Sequence, residues 1–357
     1  MRSKFNIVTF GCAANQADSE VMRTLLSRKY EESNLEEADI VIVNTCGVKG
    51  PTENKIVDFI RRLKNEKVII AGCLPKINKP RLEKEFPNYS MMGPDQVLDV
   101  VNIFERVLNG ERVVELSAKY CERLILTRSK NIDIIPISQG CLGACTYCAT
   151  KFARGTLRSY PPEKIINRIK SSNASTFYLT SQDNGCYGFD IGTNLVELLS
   201  KIVKIDKKFK IRNGMMNPNH VLKIVDGLVE VYKDEKIIKF AHIPVQSGSN
   251  IVLKHMRRLY TVEDFKQVVK RFRDEIPNIR ISTDIIVGYP TETEEDFKQT
   301  LDLIREIKPE VLNISKFYSR PGTEASKLKQ LPSQIIKERS RKLAELHASL
   351  KHILSKT

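Results

Sequence analysis

The chain has 357 residues, 28% of them charged and 41% hydrophobic, with a formal net charge of +15. At about 100–200 residues per domain, that length makes two domains and a small appendage. No run approaches the roughly 18 consecutive apolar residues of a membrane span, and Met1–Thr9 runs into a strand-like segment without the apolar region of a signal peptide, so a soluble, cytoplasmic protein with no membrane partner is expected.

In chain order, Phe5–Phe10 reads as a strand, Ser19–Arg28 as a helix, Asp39–Val43 as a strand, Thr52–Leu63 as a helix, Val68–Ala71 as a strand, and Lys79–Phe86 and Val97–Leu108 as helices. The Val/Ile runs are nearly continuous rather than alternating, which fits strands covered on both faces. Residues 1–116 therefore make a small doubly wound α/β domain. After a linker over Ser117–Asn131 the alternation restarts. Strands are predicted at Ile132–Ile137, Thr176–Thr180, Lys210–Asn213, Ile237–Pro244, Arg280–Val287 and Val311–Phe317. Helices between them are predicted at Pro161–Lys170, Leu195–Val203, Asn219–Val231, Val262–Asp274 and Glu294–Ile307. Six such units over 127–332 make a (β/α) partial barrel, with active-site groups gathered at the carboxyl ends of its strands. Ser333–Ser355, in the segment 333–357, is a basic amphipathic helix whose Ile335, Ile336, Leu343, Leu346, Leu350 and Ile353 form an apolar stripe that packs on the barrel.

The charge is unevenly spread. Residues 1–120 carry 18 basic against 17 acidic side chains, residues 121–330 carry 34 against 24, and residues 331–357 carry 6 against 2. A basic excess in one domain and a tail suits a polyanion such as nucleic acid, and equally suits a Lys-rich surface that meets none.

Eight cysteines without a signal peptide argue for ligands or catalysts rather than disulfides. Cys141, Cys145 and Cys148 form Cys-x3-Cys-x2-Cys directly after the first barrel strand, with Gly140 and Gly143 letting the loop curl. Three thiolates so spaced hold three corners of an iron–sulfur cube and leave one iron open, whereas a closed zinc site would need a fourth ligand nearby. Cys12, Cys46 and Cys73 each follow a strand of the first domain, on the sheet edge where ligand crevices form; they read either as a second three-thiolate metal site or as buried small side chains. Cys121 and Cys186 read as bystanders, the latter facing the barrel mouth. Ser181, Gln182, Gln246 and Ser247 are polar groups at strand ends. His242 is either a core histidine or a functional one, and His220, His255, His347 and His352 carry no signal. Asp18 either caps a helix or faces the first trio. Gly288-Tyr289-Pro290 reads as a turn feeding a helix capped near Thr293.

The Cys141 loop, with Tyr147 before its last cysteine, resembles the radical S-adenosylmethionine superfamily. There the open iron binds S-adenosylmethionine, which a reduced cluster cleaves to methionine and a 5′-deoxyadenosyl radical. Two cysteine trios in this order resemble the methylthiotransferases of that superfamily, together with Asn44-Thr45-Cys46, Ala71-Gly72-Cys73-Leu74-Pro75-Lys76, Arg158-Ser159-Tyr160-Pro161, His242–Ser249 and Asp284–Thr293. Thr180–Gly188 and Gly214–Pro218 are similar to the archaeal and eukaryotic branch that acts on N6-threonylcarbamoyladenosine beside the tRNA anticodon. The resemblance implies two [4Fe–4S] clusters, one on Cys12, Cys46 and Cys73 and one on Cys141, Cys145 and Cys148. It also implies S-adenosylmethionine against Tyr147, Ser181, Gln182, Gln246 and Ser247, tRNA and an external electron donor as partners, and a monomer. The sibling activities, on isopentenyladenosine tRNA or a ribosomal-protein aspartate, are the alternatives, with a metal-stabilised, non-catalytic RNA-binding protein behind them. The family usually continues into a small RNA-binding β-barrel after a basic helix, and this chain stops at Thr357, where that barrel would begin.

Overall fold

The computed structural model describes residues 2–47, 50–127 and 131–354. Strands β1 (Lys4–Thr9), β2 (Glu31–Glu32), β3 (Ile40–Thr45), β4 (Val68–Gly72), β5 (Ser90–Met92) and β6 (Val114–Glu115) form one parallel sheet in the order β2-β1-β3-β4-β5-β6. Every residue of β3 and β4 is buried, as the unbroken Val/Ile runs require of strands covered on both faces. Alternate side chains divide between two cores. Ile40, Ile42 and Ile69 pack on one side with Met22 and Phe104, and Val41, Val43 and Ile70 on the other with Ile56, Ile60 and Leu82. The strand order reverses at β1/β3, which places a crevice at their carboxyl ends.

The first helix runs Ala13–Leu26, starting earlier than the expected Ser19. Asp18 consequently lies inside it and caps nothing. Short β2, β5 and β6 carry too few residues for a sequence pattern to show.

In the second half, β7 (Ile132–Pro136) precedes two short antiparallel strands, β8 (Ser138–Gln139) and β9 (Arg158–Ser159), which bracket the cysteine loop. Five further strands, β10 (Thr176–Thr180), β11 (Lys210–Asn213), β12 (Phe240–His242), β13 (Arg280–Val287) and β14 (Val311–Lys316), continue the parallel arc. Two three-stranded groups, β11-β10-β7 and β12-β13-β14, are joined by isolated bridges at Ile211–Ile237 and Met215–His242, giving a six-unit partial barrel. The strand expected over Ile237–Pro244 is confined to β12, with Ile237 joined only by its isolated bridge. The helix expected over Asn219–Val231 is two, Pro218–Val221 and Val225–Tyr232, because Ile224 between them leaves the helical region at φ −134°.

The closing helix Ser333–Leu354 lays Ile336, Leu343, Leu346 and Leu350 on the barrel core, and Arg339 pairs with buried Glu292 at 2.7 Å. Ile335, expected in the same stripe, is instead exposed. Ser355, Lys356 and Thr357 and the side chains of His352 and Ile353 lie outside the described residues.

Ion pairs on buried carboxylates tie the sheet domain to the linker and the barrel. Asp18 meets Arg154 at 2.7 Å and Arg123 at 3.3 Å, Asp95 meets Arg158 at 3.0 Å, and Glu53 meets Arg320 at 2.5 Å. Removing one partner of such a pair leaves a charge unpaired away from water, so the pairs favour one seating of the domains. Gln139 adds a hydrogen bond to Asp95 at 2.5 Å, directly before the cysteine loop.

Candidate active site

Cys141, Cys145 and Cys148 sit between β8 and the short helix Thr150–Arg154. The loop begins at Gly140, whose φ of 82° and close approach to the Thr156 carbonyl leave no room for a Cβ. The Gly140 N–H donates to Gln182 Oε1 at 2.6 Å, anchoring the loop on the segment after β10. Two donors reach the sulfurs: the Gly143 N–H lies 3.2 Å from Cys141 Sγ, and Arg258 Nη1 lies 3.2 Å from Cys145 Sγ. The neighbouring Cys186 lowers the Cys141 thiol against the opposing effect of burial, while burial pushes Cys148 up. Donors aimed at sulfur favour thiolate, the form that binds iron, so the loop suits a negatively charged cluster.

Cys12, Cys46 and Cys73 follow the carboxyl ends of β1, β3 and β4, the first at the helix N-cap. Gly72 at φ 91° turns the chain so closely on Asn44 and Thr45 that a side chain would collide with both. Directly after it, the Cys73 N–H donates to Thr45 O at 2.9 Å. Asn15 Nδ2 ties the first helix to the same strand end through Asn44 Oδ1 at 3.0 Å and Thr45 O at 3.1 Å. Cys12 is exposed, whereas Cys46 and Cys73 are buried. Burial raises the Cys73 thiol, opposed by Arg154, whose Nε lies 3.4 Å from its Sγ; the proximity of Cys12 raises it further. The same Arg154 holds Asp18 from its other end. Asp18 thus faces this trio's arginine rather than capping a helix. Cys12 lies close enough to Cys73 to act on it, Arg154 stands beside Cys73, and Cys46 follows the strand between theirs, a set of donors that would fit a second cluster.

One cavity of about 530 Å³ is lined by all three barrel cysteines and by Cys12 of the N-terminal trio, while Cys46 and Cys73 lie buried behind its wall. Tyr147, Ser181, Gln182 and Gln246 line it too. Ser247 does not: it is fully buried and its Oγ accepts the Ser249 N–H at 3.2 Å. Ser181 Oγ is hydrogen-bonded to Asn184 Oδ1 at 2.6 Å, so it also shapes the strand end. Gln246 holds φ 74°, an uncommon conformation for a residue with a Cβ, which turns its chain at the mouth.

Of the two bystander cysteines, Cys121 is buried in the linker and Cys186 is fully buried against Cys141 rather than lining the mouth. His242 does line the cavity, with Nε2 at 2.9 Å from Asp284 Oδ1, which also accepts from Asn313 Nδ2 at 2.7 Å. His220 is buried against Asp183 at 2.8 Å, His347 bonds the Pro309 carbonyl at 2.9 Å, and His255 is exposed beside Thr291. Gly288–Pro290 does feed a helix, which Thr293 and Asp296 cap reciprocally. Sequence reading missed Arg154, Arg212 and Arg258 in the cavity wall. For Arg154 a signal existed in its place just after the cysteine loop. Arg212 and Arg258, distant in the chain, had none.

Two family models match, "Radical SAM superfamily" over residues 135–304 and "Uncharacterized protein family UPF0004" over residues 4–93. A relative from Pyrococcus horikoshii named "Probable threonylcarbamoyladenosine tRNA methylthiotransferase" is 44% identical over 99% of this chain and 86% of its own length. One from Archaeoglobus fulgidus with the same name is 45% identical over 95% of this chain and 82% of its own. The human "Threonylcarbamoyladenosine tRNA methylthiotransferase" is 40% identical over 97% of this chain and 62% of its own. Among solved structures, the radical S-adenosylmethionine methyltransferase TsrM from Kitasatospora setae superposes with a TM-score of 0.66 at 14% identity, covering 91% of this chain and 74% of that one, a likeness of fold.

Proposed function

The chain belongs to the radical S-adenosylmethionine methylthiotransferases acting on threonylcarbamoyladenosine in tRNA, and on that premise we propose how its two cysteine trios divide the reaction. The enzyme converts N6-threonylcarbamoyladenosine to its 2-methylthio derivative using a [4Fe–4S] cluster and S-adenosylmethionine. In this reading Cys141, Cys145 and Cys148 hold the radical-generating cluster, and Cys12, Cys46 and Cys73 hold a second. When bound, the first supplies with S-adenosylmethionine the one-electron chemistry that activates the adenine C2–H, and the second supplies the sulfur that carries the methyl.

The protein's own side chains do the rest. Arg258 and Arg154 each present a guanidinium to one trio, and at Cys73 the guanidinium opposes the rise that burial causes. Gln182 fixes the start of the barrel loop, and Tyr147, inside the cavity, borders S-adenosylmethionine. The ion pairs of Asp18, Asp95 and Glu53 hold the domains close enough that nothing has to diffuse far between the trios. The observation that carries this reading is the shared cavity, with Cys12 in its wall beside all three barrel cysteines.

The remaining assignments extend it: domains at 1–116, 127–332 and 333–357, an external electron donor, a cytoplasmic setting and a monomeric chain. The net charge of +15 gives tRNA phosphates a partner. The test is anaerobic turnover with tRNA carrying or lacking the threonylcarbamoyl group, scored by mass spectrometry. A methylthio product on the modified tRNA is expected. Product only on isopentenyladenosine tRNA or on a ribosomal peptide would overturn the substrate assignment. Iron content of about eight per chain checks the two-cluster reading.

A further inference from the structure

Four cationic side chains line the cavity, and three are engaged. Lys151 donates to the Gly143 carbonyl at 3.0 Å, Arg154 is paired with Asp18 at 2.7 Å, and Arg258 donates to Cys145, Asn217 and Tyr260. Arg212 differs. Among the described residues it has neither an ion pair nor a hydrogen bond, and its guanidinium lies over two rings, 5.2 Å from the centroid of Tyr178 and 4.5 Å from that of Phe240.

The sheet explains the arrangement. Tyr178 on β10 is the direct register partner of Arg212 on β11, and Phe240 begins the neighbouring β12, so the three stand side by side on the barrel's inner face and all line the cavity. Their chain neighbours Phe177, Ile211 and Ala241 point the other way and are buried in the core. Contact with ring faces stabilises the cation but uses none of its five N–H donors. A planar guanidinium so held presents its fork to whatever enters the cavity, and the group that best matches that fork is a carboxylate taken bidentately. The cavity's own carboxylates do not compete. Asp183 accepts the N–H groups of Gly185 and Asn217 and meets His220, and Asp284 is held by His242 and Asn313.

We propose that Arg212, clamped by Tyr178 and Phe240, binds the free carboxylate of the threonylcarbamoyl group and thereby selects the modified adenosine. The assignment rests on the functional reading above and deepens it. The threonyl group carries a single anionic charge on an otherwise neutral base, and an isopentenyl group carries none. Packing an aliphatic chain on Arg212 would strip water from an unpaired cation, so the same residue attracts one substrate and disfavours the other.

The experiment uses the anaerobically reconstituted full chain and three anticodon stem-loop RNAs bearing N6-threonylcarbamoyladenosine, its carboxamide counterpart, or plain adenosine. Affinity and kcat/KM are measured for each. The parent should prefer the acid over the carboxamide by about thirtyfold or more, the scale of losing one partner of a desolvated charge pair. Arg212→Gln should bring that ratio close to one, and Arg212→Lys, which keeps charge without the fork, should fall between. Equal weakening of all three RNAs by Arg212→Gln would make the residue a phosphate contact and overturn the proposal. A rise in the KM for S-adenosylmethionine with the acid-to-carboxamide ratio preserved would overturn it in favour of the cofactor's carboxylate. The parent's own acid-to-carboxamide ratio tests the idea even where a variant folds poorly, and a ratio near one defeats it. Absence of methylthio product from the parent on the acid RNA would defeat the functional reading instead, while the binding ratio would still judge Arg212.

Discussion

The two cysteine trios reach similar surroundings by opposite routes. Cys141, Cys145 and Cys148 share one loop, so a few torsions and one obligatory glycine set their geometry. Cys12, Cys46 and Cys73 come from three strand ends and meet only if β1, β3 and β4 pair in register. A one-residue slip would turn every side chain of a strand to the other face and scatter this site, while leaving the barrel loop intact. The local site therefore depends on its loop, and the assembled one on the whole sheet. Arg154 couples them: it belongs to the helix that follows Cys148 yet reaches Cys73 and Asp18 across the domain boundary.

The sharpest way to break the symmetry is to remove each trio. Replacing Cys141, Cys145 and Cys148 by Ala should abolish both S-adenosylmethionine cleavage and the methylthio product. Replacing Cys12, Cys46 and Cys73 should abolish the product but spare 5′-deoxyadenosine formation. Each triple variant should fall from about eight irons to about four. Iron analysis and product chromatography check this, and loss of cleavage in the N-terminal variant alone would exchange the two roles.

A smaller effect distinguishes the two arginines. Arg154 is buried and shares the balancing of Asp18 with Arg123, so Arg154→Gln removes one of two partners and should cost about 1.5–3 kcal/mol, the worth of a hydrogen bond to a charged group, with iron lost first from the N-terminal trio. Among the described residues Arg258 bonds Asn217, Tyr260 and Cys145 but no carboxylate, so Arg258→Gln should destabilise less and act on the barrel trio. Chemical denaturation with iron content read in parallel separates the two.

Acid should part the domains before it unravels either sheet. Burial pushes Asp95 up, but the Gln139 hydrogen bond and the charges of Lys76 and Arg158 prevail and leave it below its ordinary value of 3.8. A carboxyl lowered on folding contributes stability that is present above its unfolded value and is lost as pH falls through the folded one. Asp95→Asn should therefore cost about 1.5–3 kcal/mol at pH 7, the worth of hydrogen bonds to a charged group, and progressively less below about pH 4. Denaturation of parent and variant across that range measures it, and a difference independent of pH would show that charge at Asp95 does not hold the interface.

How far the sequence could be read follows the same division. The Cys141 loop stands out in the sequence because its three cysteines are adjacent, and Cys12, Cys46 and Cys73 stand out because each follows a strand, as the structure places them. The β11 and β13 bounds matched since their patterns are uninterrupted. The start of the first helix was misjudged because Cys12 supplies no side-chain cap and Ala13–Asn15 show no apolar period. Ser247 resembled a mouth residue but its hydroxyl serves the next turn, a choice made by local backbone geometry that spacing does not reveal. Arg212 and Arg258 were invisible for a different reason: each becomes functional only through what neighbouring strands and loops place beside it.

The smallest expected effect concerns Gln182, read from sequence as a contact to S-adenosylmethionine. Its Oε1 accepts the Gly140 N–H at 2.6 Å, and a lost partner there leaves a backbone donor unsatisfied at the root of the barrel loop. Gln182→Ala should cost about 1–3 kcal/mol, concentrated locally, since the strand end keeps its other bonds through Ser181 and Asn184. Hydrogen exchange at Gly140–Cys145 should quicken while exchange in β1, β3 and β4 stays as in the parent, because the assembled trio is built on a different sheet. The KM for S-adenosylmethionine should rise only a few-fold, about the effect of loosening a loop without removing a ligand contact. A rise of a hundredfold with unaltered exchange would instead make Gln182 a direct cofactor contact, and would show that even the local site borrows its chemistry from a strand the motif does not contain.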